Sequence, residues 1–123
     1  MPIFTSVGAS GSVGPTSGGK VYSIQNLGPT GSQVLAANPS RTSVTFHNPA
    51  TGTGTPVPYI YVYPQVLANG TANPANLNLP GGSFVIFPGG LLTLTGEVQG
   101  AWSAFTSVSG TVTQLTVMES NLA

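Results

Sequence analysis

The chain has 123 residues, the length of one domain, and only 3% of them are charged, where a soluble domain carries roughly 25%. Two isolated cations, Lys20 and Arg41, cannot neutralise a phosphate backbone, so nucleic acid is excluded as a partner. With no Cys there are no disulfides, thiolate metal ligands or cysteine nucleophiles, and no apolar run is long enough to span a bilayer, so no membrane partner is expected.

Met1 to Gly19 starts with Pro2-Ile3-Phe4, a short apolar run able to pair at a sheet edge, and then dissolves into Gly, Ser, Thr and Pro. Such a composition buries too little apolar area to offset its ordering entropy. We read residues 1–19 as an N-terminal arm, with Phe4 as a contact candidate, and 20–123 as one domain. The basic region and apolar core of a secretory signal are absent from this end.

Lys20 to Leu27 is the first expected strand, turned by Gly28-Pro29-Thr30-Gly31, and Gln33 to Ala37 is a short second one. After Asn38-Pro39-Ser40, the segment Ser43 to Asn48 alternates: Val44 and Phe46 take one face, Ser43, Thr45 and His47 the other, as in a half-buried strand. A Gly/Thr/Pro loop leads to Tyr59 to Tyr63, where Ile60 and Val62 share one face and Tyr59, Tyr61 and Tyr63 the other. Tyrosine joins an apolar ring to a hydroxyl that tolerates water. The stripe therefore marks an interface or a second covered layer, or else a central strand buried on both faces.

Pro64 to Leu79 is a long loop rich in Asn, Ala and Pro, and loops of this length are usually functional or packed on a partner. Asn69, Asn73 and Asn76 are its contact candidates; Asn69-Gly70-Thr71 also matches a glycosylation sequon, without a secretion signal to give it meaning. Two Pro-Gly turns, Pro80-Gly81 and Pro88-Gly89, bound a strand from Ser83 to Phe87, because Pro presets φ and the following Gly accepts a positive one. Leu91 to Thr95, Ala101 to Phe105 and Thr111 to Met118 complete the strands. In the last, Val112 lies on the opposite parity from Leu115 and Val117, which a β-bulge near Thr113 or Gln114 would reconcile. The expected fold is all-β: an antiparallel β-sandwich, jelly-roll-like, with an extended N-terminal arm.

Reactive constellations are sparse. Gly14-Pro15-Thr16-Ser17-Gly18-Gly19-Lys20 follows a phosphate-binding loop for seven positions, but Val21 stands where a magnesium-holding hydroxyl belongs. His47 is the only imidazole, and Glu97 and Glu119 are the only carboxylates outside the chain terminus. Nothing in the spacing assembles a triad, a carboxylate pair or a metal set, so no catalytic, cofactor or metal residue is expected. Arg41, just before a strand, suits a structural clamp with Glu119, Glu97 or the chain terminus. Net charge zero and mean hydropathy +0.25 leave a free monomer weakly protected against self-association, so the working state is expected to be an assembly.

The succession Asn38-Pro39-Ser40-Arg41, Val44-Thr45-Phe46-His47-Asn48, Tyr59-Ile60-Tyr61-Val62, Phe84-Val85-Ile86-Phe87-Pro88-Gly89-Gly90, Ala101-Trp102-Ser103-Ala104 and Leu115-Thr116-Val117-Met118-Glu119 resembles small β-sandwich virion proteins of tailed bacteriophages. The resemblance implies a non-enzymatic capsid decoration or cement subunit, or a head or tail accessory subunit. It also implies contact with the major capsid protein or other virion subunits, a homo-oligomer (dimer or trimer), and a virion location after assembly in the host cytoplasm. The long N-terminus and the loop from Pro64 to Leu79 depart from the family pattern. The alternative is a carbohydrate- or receptor-binding module of a tail fibre, spike or neck, with Tyr59, Tyr61, Tyr63 or Trp102 stacking on sugar rings.

Overall fold

The computed structural model describes residues 20–51, 57–67, 69–77, 81–109 and 112–122; the expected arm, with Phe4, lies outside them. Eight strands follow in chain order: β1 (Lys20–Leu27), β2 (Ser32–Leu35), β3 (Arg41–His47), β4 (Ile60–Pro64), β5 (Phe84–Ile86), β6 (Leu91–Thr95), β7 (Trp102–Thr106) and β8 (Thr113–Asn121). The one helical element among the described residues is a 3-10 turn at Pro74–Leu77.

The strands form two four-stranded antiparallel sheets, β1-β8-β3-β6 and β2-β7-β4-β5. Pairs β1·β8, β2·β7, β3·β6 and β4·β5 nest like one long hairpin centred on the β4–β5 connection. Rolling that hairpin up adds β3·β8 and β4·β7, and the result is the strand order of a jelly roll. The expected all-β sandwich is what the chain forms.

Alternation decides what the sandwich encloses. Val44 and Phe46 of β3, Leu115 and Val117 of β8, Ile60 and Val62 of β4, and Trp102 and Ala104 of β7 all point inward, and each is at least nine-tenths buried. Leu27, Val34, Leu35, Ile86 and Val98 complete this cluster, with Leu92 and Leu94 of β6 packed against its rim. Phe46 and Trp102 meet across it with ring centroids 5.5 Å apart at 49°. Residues two apart supply the core from β3, β4, β6, β7 and β8, as a half-buried sheet requires.

Two local expectations change. No bulge interrupts β8: its register with β1 runs continuously from Leu27↔Thr113 to Lys20↔Ser120. Val112 lies before the strand and is exposed, while Thr113 takes the inward position, so the parity conflict disappears. Register shifts occur instead at Gln33/Leu35 and Arg41/Ser43. The turn at Pro88-Gly89 is the expected one: Gly89 has φ 77° and Gly90 N–H donates to the Phe87 carbonyl at 2.8 Å. At the earlier turn the positive φ, 82°, falls on Gly82 rather than Gly81.

Candidate functional site

One end of the sandwich is tied by Arg41, whose side chain is 1% exposed. Its Nε donates to Glu119 Oε1 at 2.9 Å, its Nη1 to the carbonyls of Val98 (2.8 Å) and Gly100 (3.0 Å), and its Nη2 to the Ala36 carbonyl at 2.7 Å. These acceptors belong to β8, to the segment entering β7 and to the segment leaving β2, so one guanidinium joins both sheets. Asn38 Nδ2 adds bonds to Glu119 Oε1 (3.1 Å) and Asn121 Oδ1 (2.8 Å), and Gln99 Nε2 donates to the Arg41 carbonyl at 2.9 Å. A buried cation is tolerated only when its donors are met this fully. The Arg41 guanidinium is thus enclosed by its acceptors, and Glu119, 14% exposed, is held by Arg41 and Asn38.

Asparagines fix the irregular segments. Asn48 is fully buried; its Nδ2 donates to the Pro58 and Ile86 carbonyls, each at 3.0 Å, and its Oδ1 accepts from Ala50 N–H at 3.1 Å. Asn73 repeats the pattern after β4, donating to the Pro64 and Gly82 carbonyls at 2.9 Å and accepting from Ala75 N–H at 3.0 Å. Gly82 is required there, because a Cβ at its position would collide with Asn73 Oδ1. Asn73, expected as a contact residue, is therefore a buried pin, 1% exposed. Asn69 and Asn76 are exposed. Asn69 Oδ1 accepts from Thr71 N–H and Oγ1–H in its own turn, and Asn76 Nδ2 donates to the Gln65 carbonyl.

The pinned loop covers the outer face of the β2-β7-β4-β5 sheet. Tyr63, Phe105 and Ala75 form a second buried cluster with Tyr61 against it. Tyr61 stacks on Phe105 at 4.9 Å and 21°, and Tyr63 meets Phe105 edge-on at 6.1 Å. Tyr63 is 2% exposed, so it is not available to a partner; burial raises its pKa above the ordinary tyrosine value, partly opposed by its hydrogen bond with Ser103. Every residue of β7 is buried, from the core on one side and from this second layer on the other. Of the tyrosine stripe, Tyr59 stays exposed and Tyr61 half-buried. Tyr59 meets Phe87 edge-on at 5.3 Å and 85°, beside exposed Val85.

The other sheet has no such cover among the described residues. Register places its outward residues in rows: Tyr22–Met118–Thr45–Thr93, then Ile24–Thr116–His47–Leu91, then Asn26–Gln114. Tyr22, Ile24 and Leu91 are each about two-thirds exposed. Sequence reasoning passed over these three; the available signal was a bulky apolar residue on the outward parity of β1 and β6.

Chemistry is not brought together anywhere in the described residues. His47 lies on the outward parity of β3, whereas Glu119 pairs with Val44 on the inward parity, so the two lie on opposite faces of one sheet. Glu97 is in the exposed β6–β7 turn. No group of three His, Cys, Asp or Glu side chains within the described residues is placed to hold a metal. The Gly14–Lys20 motif lies almost wholly outside those residues.

The sequence matches no protein-family model and no curated protein. It is similar to one chain of a solved structure described as "Bacillus endospore appendages form a novel family of disulfide-linked pili", at 16% identity and TM-score 0.48, over 92% of this chain and 100% of that one. A likeness this distant carries no argument about role, and a chain without Cys cannot make a disulfide link. What the molecule itself displays is a sandwich in which every buried side-chain polar atom of the described residues has a partner, with one outer face covered over Tyr63 and Phe105 and the other without cover among the described residues.

Proposed function

We propose that this chain is a non-enzymatic structural subunit of an assembled particle, a decoration or cement subunit on the capsid of a tailed phage. The observation that carries this is the apolar-bearing outer face of the β1-β8-β3-β6 sheet, where Lys20 at the start of β1 is the one Lys, Arg, Asp or Glu on the outward parity among the described residues, on a chain whose two carboxylate side chains and single imidazole are dispersed. Contact rather than reaction is what such a surface offers. The resemblance over residues 34–119 supplies the virion setting and the major capsid protein or another virion subunit as partner.

The mechanism is mass action. A subunit that binds the closed shell and not its separated parts stabilises the shell in proportion to its occupancy. With few charges at the contact, binding depends weakly on salt. The sugar-binding alternative has less support: Trp102 and Tyr63 are in the interior, and the exposed Tyr59–Phe87 pair is edge-on, not a coplanar platform.

The test is to add purified protein to particles that lack it. Co-sedimentation at saturable stoichiometry, retained at high salt, with a raised disruption temperature of the particle, is the expected outcome. A protein that neither co-sediments nor protects the particle defeats the proposal.

A further inference from the structure

We propose that the bare outer face of the β1-β8-β3-β6 sheet is a self-association face, whose partner is the same face of a second copy of this chain. The proposal rests on the assembly role above and deepens it by naming a partner and a surface. Three observations favour a second copy over a foreign protein.

Charge comes first. A symmetric contact brings like against like, so any Lys, Arg, Asp or Glu near its centre would meet its own sign. From the Tyr22–Thr93 row to the Asn26–Gln114 row the outward residues include none, and Lys20 lies one row beyond, at the end of the lateral strand β1 and away from the centre of the face. The polar groups there are mostly hydroxyls and amides, several partnered within the face: Thr45 Oγ1 and Thr93 Oγ1 share a hydrogen bond at 3.0 Å, and Gln114 Nε2 donates to Asn26 Oδ1 at 3.4 Å. Covering groups that already have partners costs little.

Shape comes second. Sheets pack face to face at about 10 Å when their twists match, with strands within about 30° of each other. An identical sheet supplies an identical twist, and the large exposed side chains, Tyr22, Ile24 and Leu91, lie on the two lateral strands, with half-buried Met118, Thr45, Thr116 and His47 on the two central ones. Laid over its copy about an axis along the strands, β1 faces β6, so Ile24 meets Leu91 of the second copy across the row they share.

Size comes third and sets the strength. Four strands spaced about 4.8 Å, each about 20 Å long, give a face of roughly 400 Å². Two such faces bury on the order of 800–1,000 Å² in all, about half of a standard stable interface. The contact is therefore a weak, reversible dimer, firm only where other contacts hold both copies on one particle.

Sedimentation equilibrium of the isolated protein up to about 1 mM tests this, since a contact below the standard size belongs with weak, transient ones. Wild type is expected to dimerise reversibly. Ile24→Glu and, independently, Leu91→Glu are expected to weaken dimerisation at least tenfold without changing thermal unfolding, because both side chains are exposed. Phe87→Glu, on the other sheet, is expected to leave it unchanged. Wild type that stays monomeric, or a dimer that survives both Glu substitutions, overturns the proposal. So does loss of the dimer with Phe87→Glu alone, or a monomer whose particle binding is abolished by Ile24→Glu, which would assign the face to a shell protein. A monomer that still binds particles sinks the self-association face but not the assembly role; a dimer broken by Ile24→Glu that binds no particle does the reverse.

Discussion

The two outer faces of this sandwich receive opposite treatment from the same chain. Over the β2-β7-β4-β5 sheet, Asn73 holds a loop in place so that Ala75 closes on Phe105 and Tyr63, and β7 becomes an interior strand on both sides. Over the β1-β8-β3-β6 sheet nothing in the described residues lies, and Tyr22, Ile24 and Leu91 stand in the open. A domain this short has few irregular segments with which to cover apolar area, and this one places its long β4–β5 connection on a single side. The difference separates residues that hold the subunit together from residues free to hold subunits to one another.

The largest effect should come from the joint between the sheets. Arg41→Met leaves Glu119 with only the Asn38 amide and takes the guanidinium from the Ala36, Val98 and Gly100 carbonyls, and is expected to cost about 3–5 kcal/mol by denaturant titration, enough to leave a marginal domain mostly unfolded. A loss under about 1 kcal/mol would mean that the guanidinium is not what ties the two sheets. Next comes the direct comparison. Phe105→Ala on the covered face should cost about 3 kcal/mol through the cavity it opens, whereas Ile24→Ser on the bare face should change subunit stability by no more than about 0.5 kcal/mol. Equal effects at the two positions would erase the contrast between the faces.

The smallest effect is confined to high pH. Burial raises the folded-state pKa of Tyr63, so the folded state favours the neutral phenol. Its contribution is present in full below the unfolded tyrosine value of about 10 and is lost as pH rises through the raised folded value. Tyr63→Phe should therefore flatten the alkaline limb of a stability–pH curve, while giving up one hydrogen bond, about 1 kcal/mol, at neutral pH. An alkaline limb identical to wild type would show that the phenol is not held neutral by the loop above it.

Much of the sandwich was legible because its signals are local. Val44 and Phe46, Ile60 and Val62, Leu92 and Leu94, and Trp102 and Ala104 each announce an inward face by alternation, and β1 and β6 have the expected bounds. Other bounds moved by one to three residues: β8 starts at Thr113 and continues to Asn121, because pairing with both β1 and β3 carries it past Met118. The candidate contact residues were less legible. Tyr59, Tyr61 and Tyr63 share a parity in sequence but not an environment, since only a loop folded over the far end of β4 distinguishes Tyr63 from Tyr59. Asn73 and Asn76 are three residues apart and alike in composition, yet one is buried and the other exposed.

The sequence by itself determined the strand periodicity, the type II turn at Pro88-Gly89 and a surface almost empty of charge, since each depends on residue type and near neighbours. Tertiary structure alone decided that Arg41 reaches Glu119 across 78 positions, that Asn73 faces inward, and that a loop covers Tyr63 and Phe105 on one sheet while no described residue covers the other. Such outcomes depend on which segments the rolled hairpin brings side by side. No local pattern encodes that, because loop closure links residues whose separation along the chain carries little energetic memory of their contact.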